Sequence, residues 1–261
     1  MNKVIVITGC SRGFGRLWAL GALERGHRVI GIVRDSRSVR DISDQYADQF
    51  LSVQADVREN STIDAAIKQG LNAFSRIDVL INNAGYTVFS PTEYIPIDEA
   101  TRLIDTNLIG SLRLIQSVLP VMREQGAGHI IQISSIAGLC AFPGMSIYTA
   151  SKWAVEGMLE ALANEVRSFG INVSLVEPGP HLTDWVGSSA VRLDHAGTYP
   201  STEDFMASWP SLKPENPSGV IDPMFKLIDS IAPPLRVLVG GNLKEHLETE
   251  YQNRLNEIVE Y

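Results

Sequence analysis

Tyr148-Thr-Ala-Ser-Lys152 places a phenol and an ammonium four residues apart, the spacing that brings two side chains onto one face of a helix. A phenol alone titrates at about 10 and trades protons poorly at neutral pH. A fixed positive charge beside it favours the phenolate and lowers that value. Ser135 stands thirteen residues before the tyrosine, and its hydroxyl could hold a carbonyl oxygen against the phenol. Three such groups can protonate or deprotonate an oxygen while a hydride moves at the attached carbon.

A glycine-rich loop, Thr8-Gly-Cys-Ser-Arg-Gly-Phe-Gly15, directly follows an apolar run and opens a helical pattern. In that setting backbone N–H groups and a helix N-terminus hold a pyrophosphate. The spacing is G-x-x-x-G-x-G. The second strand then ends Ile32-Val33-Arg34. Sites for NAD present an acid at this point to the ribose 2′-hydroxyl, whereas NADP sites leave it out and supply an arginine. Arg34, with Arg12 in the glycine loop, could pair with a 2′-phosphate through charge-assisted hydrogen bonds. NADP is therefore the favoured cofactor. The rival is Asp35, which a shift of one residue would put on the ribose. Asp56-Val57 closes a third strand where it could flank an adenine. Asn82-Asn-Ala-Gly85 closes a fourth, its small residues admitting a dinucleotide close to the backbone.

The elements that must position these groups follow from periodicity. Short runs rich in Val and Ile, at 4–7, 28–33, 50–54, 79–82, 130–134, 172–176 and 236–239, read as strands covered on both faces. Helical patterns lie between them at about 14–25, 37–48, 60–75, 98–124, 147–168 and 218–230, with Gly26, Gly128 and Gly170 at expected helix ends. This alternation predicts one α/β domain over residues 1–261, with a doubly wound, mostly parallel seven-stranded sheet and helices on both faces. Residues 178–217 break the rhythm, with six prolines and no period. Because they follow a strand at the ligand-binding end of the sheet, they read as a substrate-binding lid. A polar terminal helix is expected over 243–261.

Composition narrows the classes. A net charge of −8 with no basic run argues against nucleic acid as a partner. Two cysteines, Cys10 and Cys140, form no disulfide framework and fit a cytoplasmic location. The five histidines show no metal-ligand spacing. No apolar stretch is long enough to span a membrane, and the N-terminal run is too short for a signal peptide.

The ordered set T-G-x-x-x-G-x-G at Thr8–Gly15, N-N-A-G at Asn82–Gly85, Asn107, Ser135, Y-x-x-x-K at Tyr148–Lys152 and P-G at Pro178-Gly179 with Thr183 resembles the short-chain dehydrogenase/reductase family over about residues 3–240. The resemblance implies a Rossmann fold and hydride transfer between NADP(H) and a ketone, an aldehyde or, in reverse, a secondary alcohol. Tyr148 would be the acid in reduction, and Lys152 would hold the nicotinamide ribose and lower the tyrosine pKa. Ser135 would steady the substrate oxygen, with Ser134 as its neighbour and competitor. Asn107 would hold a water connecting Lys152 to solvent. Cofactor contacts would come from Gly9, Ser11, Arg12, Gly13, Phe14, Gly15, Arg34, Asp56, Val57, Asn83, Ala84, Gly85, Tyr148, Lys152, Pro178, Gly179 and Thr183. Residues expected near the substrate are Tyr86, Phe89, Phe142, Met145, His181, Trp185 and Trp209, an apolar and aromatic group suited to a sizeable hydrophobic carbonyl compound. A homodimer or homotetramer is expected from the resemblance. A non-catalytic NADPH-sensing protein on the same fold is the alternative, although such proteins usually lose the tyrosine or the lysine.

Overall fold

Strand β1 (Val4–Thr8) shows how the core is laid down. Successive side chains point to opposite faces, so Val4 and Val6 enter one apolar layer while Ile5 and Ile7 enter the other. The protein is described from a computed structural model over residues 2–182, 190–193, 197–208, 214–241 and 243–260. In chain order, β1 is followed by α1 (Gly13–Glu24), β2 (Arg28–Val33), α2 (Arg40–Gln45), β3 (Phe50–Gln54), α3 (Asn60–Phe74), β4 (Val79–Asn82) and β5 (Thr87–Phe89). Then come α4 (Ile97–Ile104), α5 (Gly110–Gln125), β6 (Gly128–Ile133), α6 (Ser146–Val166), β7 (Ile171–Pro178), β8 (Ala190–Arg192), α7 (Pro200–Ser208), α8 (Ile221–Asp229), β9 (Arg236–Val239) and α9 (Leu243–Glu257).

The seven-stranded sheet has the order β3-β2-β1-β4-β6-β7-β9, and every pairing in it is parallel. One face packs on α3, α5 and α6, the other on α1 and α8. Trp18 is fully buried in the second layer, and its indole N–H donates to Val220 O at 3.2 Å. The chain runs outward from β1 to β3, then returns to the other side of β1 with β4. That reversal opens a crevice between the carboxyl ends of β1 and β4.

Several sequence expectations change. The helix expected over 98–124 is two α-helices joined by a π turn, Asp105–Ile109, which carries Asn107. Its end falls at Gly126, in the left-handed conformation with φ 65°, while Gly128 opens β6 instead. The pattern at 37–48 becomes a 3₁₀ turn at Ser36–Val39 and a short α2. Within 178–217, the described residues hold β8 and α7, and β8 pairs with β5, a strand that periodicity alone does not reveal. Three-residue strands are too short to display a period. Trp185, Trp209 and Thr183 lie outside the described residues.

His129 sits in the middle of the sheet, its ring hydrogen-bonded to Ser174 Oγ at 3.0 Å. Burial lowers its pKa from 6.5 to about 4, so the fold holds it neutral. Between those values the unfolded chain binds more protons than the folded one. The contribution is complete above about pH 6.5 and is lost as the pH falls through about 4. Thermal melts of the wild type should show this acid loss, and His129→Gln should flatten it. Equal slopes for the two proteins across that window would refute the assignment.

Candidate active site

Thr8 fastens the two loops that border the crevice. Its Oγ1 accepts hydrogen bonds from the backbone N–H groups of Asn83 and Ala84, both at 2.9 Å. Asn83 Nδ2 returns a bond to Thr8 O at 2.8 Å. The glycine loop is further tied by Gly9 N to Ile32 O at 2.9 Å. Gly9 and Gly13 take φ values of 71° and 55°, a region unfavourable to side chains. Gly15 lies behind the loop and does not line the cleft. A Cβ there would stand 2.5 Å from Gly9 O and 2.6 Å from Asn83 Nδ2, so only hydrogen fits.

A single cleft of about 450 Å³ runs from this loop across the carboxyl ends of the strands. Its walls include Gly9, Ser11, Arg12, Gly13 and Phe14, then Arg34, Asp56 and Val57, then Asn83, Ala84 and Gly85. Pro178, Gly179 and His181 border it further along, and Ser135, Tyr148 and Lys152 complete it. The residues named from sequence thus form much of one continuous surface, drawn from seven separate segments. Arg58 is an addition. Its guanidinium binds both oxygens of Asp56, holding that carboxyl below the usual range, and it too faces the cleft. Its position just after a strand end was the available signal. Asp35, the residue that would have favoured NAD, accepts from Arg37 N and grips the Arg37 guanidinium instead. It does not line the cleft.

At the other end, α6 carries Tyr148 and Lys152 one turn apart, both buried. Lys152 Nζ stands 5.7 Å from the centroid of the Tyr148 ring and donates to Ile133 O at 2.9 Å. Burial lowers its pKa from 10.5 to about 8, and the nearby Glu156 carboxylate opposes that shift. Ser135 Oγ accepts from Ala137 N at 3.1 Å and caps the 3₁₀ turn Ile136–Gly138. This capping leaves the hydroxyl proton available to a substrate oxygen, so it is compatible with the role expected of Ser135. Ser134 also borders the cleft.

Asn107 lies behind the cleft wall. Its amide accepts from Tyr86 N at 3.0 Å and donates to Tyr86 O at 2.9 Å and Ser151 Oγ at 3.2 Å. The π turn rotates it into this position, clamping the backbone that follows Gly85. Tyr86, Phe142 and Met145 line the apolar end, joined by Val191 and by Phe205, which stacks on Phe142 at 5.3 Å. Phe89 does not line the cleft; it packs beneath it with Met145 and Tyr148. His181, expected near the substrate, borders the cleft and is buried against the edge of Phe14 with its Nδ1 on Gly179 O.

The sequence matches the family described as short chain dehydrogenase over residues 3–192. The chain belongs to this family. It is 37% identical over 253 residues to oxidoreductase BOA17 of Botryotinia fuckeliana, covering 94% of this chain and 92% of that one. It is 32% identical to retinol dehydrogenase 8 of Homo sapiens, over 90% of this chain and 80% of the relative. A short-chain dehydrogenase from Streptomyces avermitilis superposes with a TM-score of 0.91 at 32% identity, covering 98% of this chain and 94% of that structure. This short-chain dehydrogenase is accordingly an oxidoreductase of a family that uses nicotinamide cofactors. No helix among the described residues is long and apolar enough to cross a membrane.

The crowding at Gly15 makes a direct forecast. Gly15→Ala should lower unfolding stability by roughly 1–3 kcal/mol, because backbone and Asn83 must both give way. A urea midpoint equal to wild type would show that the loop yields freely.

Proposed function

We propose that this short-chain dehydrogenase reduces a ketone or aldehyde with NADPH, and oxidises the corresponding alcohol in reverse, with Tyr148 as the proton donor. One observation carries the reading: Tyr148, Lys152 and Ser135 converge on the same cleft whose opposite end is bordered by Arg12, Arg34 and Arg58. Three guanidinium groups suit a phosphomonoester, and the carboxylate that would bind a bare ribose is occupied by Arg37. The glycine cradle between them suits a pyrophosphate.

A nicotinamide held in this cleft would supply the hydride. Ser135 donates to the substrate oxygen and stabilises its developing negative charge. Tyr148 gives its proton to that oxygen, completing the alcohol, and recovers one from solvent. The Lys152 ammonium favours the tyrosinate left behind and holds the cofactor ribose. Asn107 keeps the loop after β4 in place under the cofactor. Thr183 is assigned to the carboxamide and Trp185 to the substrate wall, on the family pattern. The apolar side, with Phe142, Met145, Val191 and Phe205, suits a medium to large hydrophobic carbonyl, as does the likeness to a retinol dehydrogenase. Residues 178–217 would close over such a substrate. Tyr199 and Tyr94 fasten part of that segment to the turn at Thr92–Tyr94, through Glu93 and Thr198.

Two variants test the assignment. Tyr148→Phe should lose about 10²-fold or more of NADPH-dependent ketone reduction while still binding NADPH. Retention of more than about a tenth of the turnover removes the proton-donor role. Arg34→Asp should weaken NADPH binding, read by fluorescence titration, and narrow the preference over NADH. An unchanged ratio of the two affinities would remove the phosphate argument.

A further inference from the structure

Behind Lys152, on the side away from the cleft, two carboxylates are buried against each other's charge. Glu156 lies one helical turn beyond Lys152 on α6, and Glu177 is wholly buried at the end of β7. Arg236 of β9 reaches in between, donating from Nε to Glu156 Oε2 at 3.0 Å and from Nη2 to Glu160 Oε2 at 2.6 Å. Glu177 Oε2 accepts from Val237 N at 2.9 Å. The remaining oxygens, Glu156 Oε1 and Glu177 Oε1, are buried with no hydrogen-bond partner among the described residues.

The turn that follows Ser135 packs against Glu156. A Cβ at Gly138 would stand 2.6 Å from Ser134 Oγ and 3.2 Å from Glu156 Oε1, so the turn seats directly on the pair. Ser134 Oγ and Glu156 Oε1 thus meet the same turn, and both Ser134 and Ser135 border the cleft. The Ser134 hydroxyl favours the charged carboxylate, although neither atom meets the other at full hydrogen-bond geometry.

The charged groups facing Glu156 are Lys152 and Glu160 from its own helix, Glu177 from β7 and Arg236 from β9. Burial raises the pKa of both Glu156 and Glu177. For Glu177, burial together with the charge of Glu156 takes it to about 8. Glu156 has two cations and a hydroxyl in its favour, whereas Glu177 has Arg236 and backbone N–H groups. Two such neighbours titrate as a pair. The geometry singles out Glu156, which is ion-paired with Arg236, whereas Glu177 meets a backbone N–H.

We propose that Glu156, oriented by Arg236 and backed by Glu177, is a positioning residue that keeps the buried Lys152 ammonium charged beside Tyr148. Its importance for turnover rests on the function proposed above; the charge coupling itself does not. Among the described residues Lys152 has one hydrogen-bond acceptor, Ile133 O, and burial works against its charge. A fixed carboxylate one turn away offsets that loss. Without it, the ammonium would discharge at lower pH, and the tyrosinate would lose its stabilising neighbour.

The test reads Tyr148 directly. The tyrosinate absorbance of wild type minus Tyr148→Phe is titrated with NADP⁺ bound, and the same difference is taken on Glu156→Gln, Glu156→Asp and Glu160→Gln backgrounds. Glu156→Gln should move the midpoint upward by about one pH unit. Glu156→Asp should move it in the same direction by less, and Glu160→Gln, which loosens the same arginine from the exposed side, should leave it in place. Should Glu156→Gln fail to fold, the aspartate variant decides by the sign of its shift. A midpoint unchanged in every folded Glu156 variant overturns the proposal, as does an equal shift in Glu160→Gln. No substrate is needed, so a failure to find a carbonyl compound that is turned over leaves this result readable.

Discussion

A lysine ammonium held almost out of water, with one backbone carbonyl on its nitrogen and a tyrosine ring beside it, is the constraint around which this short-chain dehydrogenase is arranged. Burying a charge is unfavourable unless partners compensate for the lost hydration. Here the compensation comes from three elements at once. The end of β6 supplies the Ile133 carbonyl, α6 supplies Glu156, and β9 supplies the Arg236 that holds Glu156 still. Lys152 thus links the sheet to the helix at the point where Tyr148 faces the cleft. The parallel sheet makes this possible, because all its strands end on the same side and their last residues meet.

The same geometry explains the other end of the cleft. Thr8 and Asn83 tie together the loops that follow β1 and β4, the two strands flanking the topological reversal. Glycine at position 15 then lets the loop turn back on itself at a distance no side chain would tolerate. The tie and the turn hold Gly9, Ser11, Gly13 and Phe14 along the crevice, which Arg12, Arg34 and Arg58 also line. Neither end of the cleft is built from a single stretch of chain. The sheet is the common frame, and its two apolar layers hold that frame rigid.

Much of this was legible in the sequence, for a physical reason. The glycine loop, the strand tips and the Tyr–Lys pair are local patterns, set by backbone conformation and helical spacing, so the residues that carry them are neighbours on the chain. The five central strands, β2, β1, β4, β6 and β7, are buried along nearly their whole length and appear as runs rich in Val and Ile, while the edge strands β3 and β9 are only partly covered. What escaped were arrangements made by distant contacts. The π turn at Asp105–Ile109 has no periodic signature, yet it decides that Asn107 clamps Tyr86. The pairing of β5 with β8 joins segments a hundred residues apart through three residues each. Nothing local in the sequence marks Glu177, and only the approach of α6 makes it a buried neighbour of Glu156.

Ser135 shows why a structural role and a chemical one need not compete. Its Oγ accepts from Ala137 N, which fixes the rotamer and starts the turn that ends at Gly138. That turn seats on Ser134 and Glu156, so the hydroxyl facing the cleft and the carboxylate behind Lys152 are held by one short piece of chain. A capping serine loses little freedom when a substrate oxygen arrives, because its geometry is already set by the fold. Accepting one bond leaves its proton to give, and the donor is then aimed before any charge develops. An alanine at 135 would therefore remove two things together, the donor and the anchor of the turn. A threonine would keep the hydroxyl, and with it both roles, wherever the added methyl finds room.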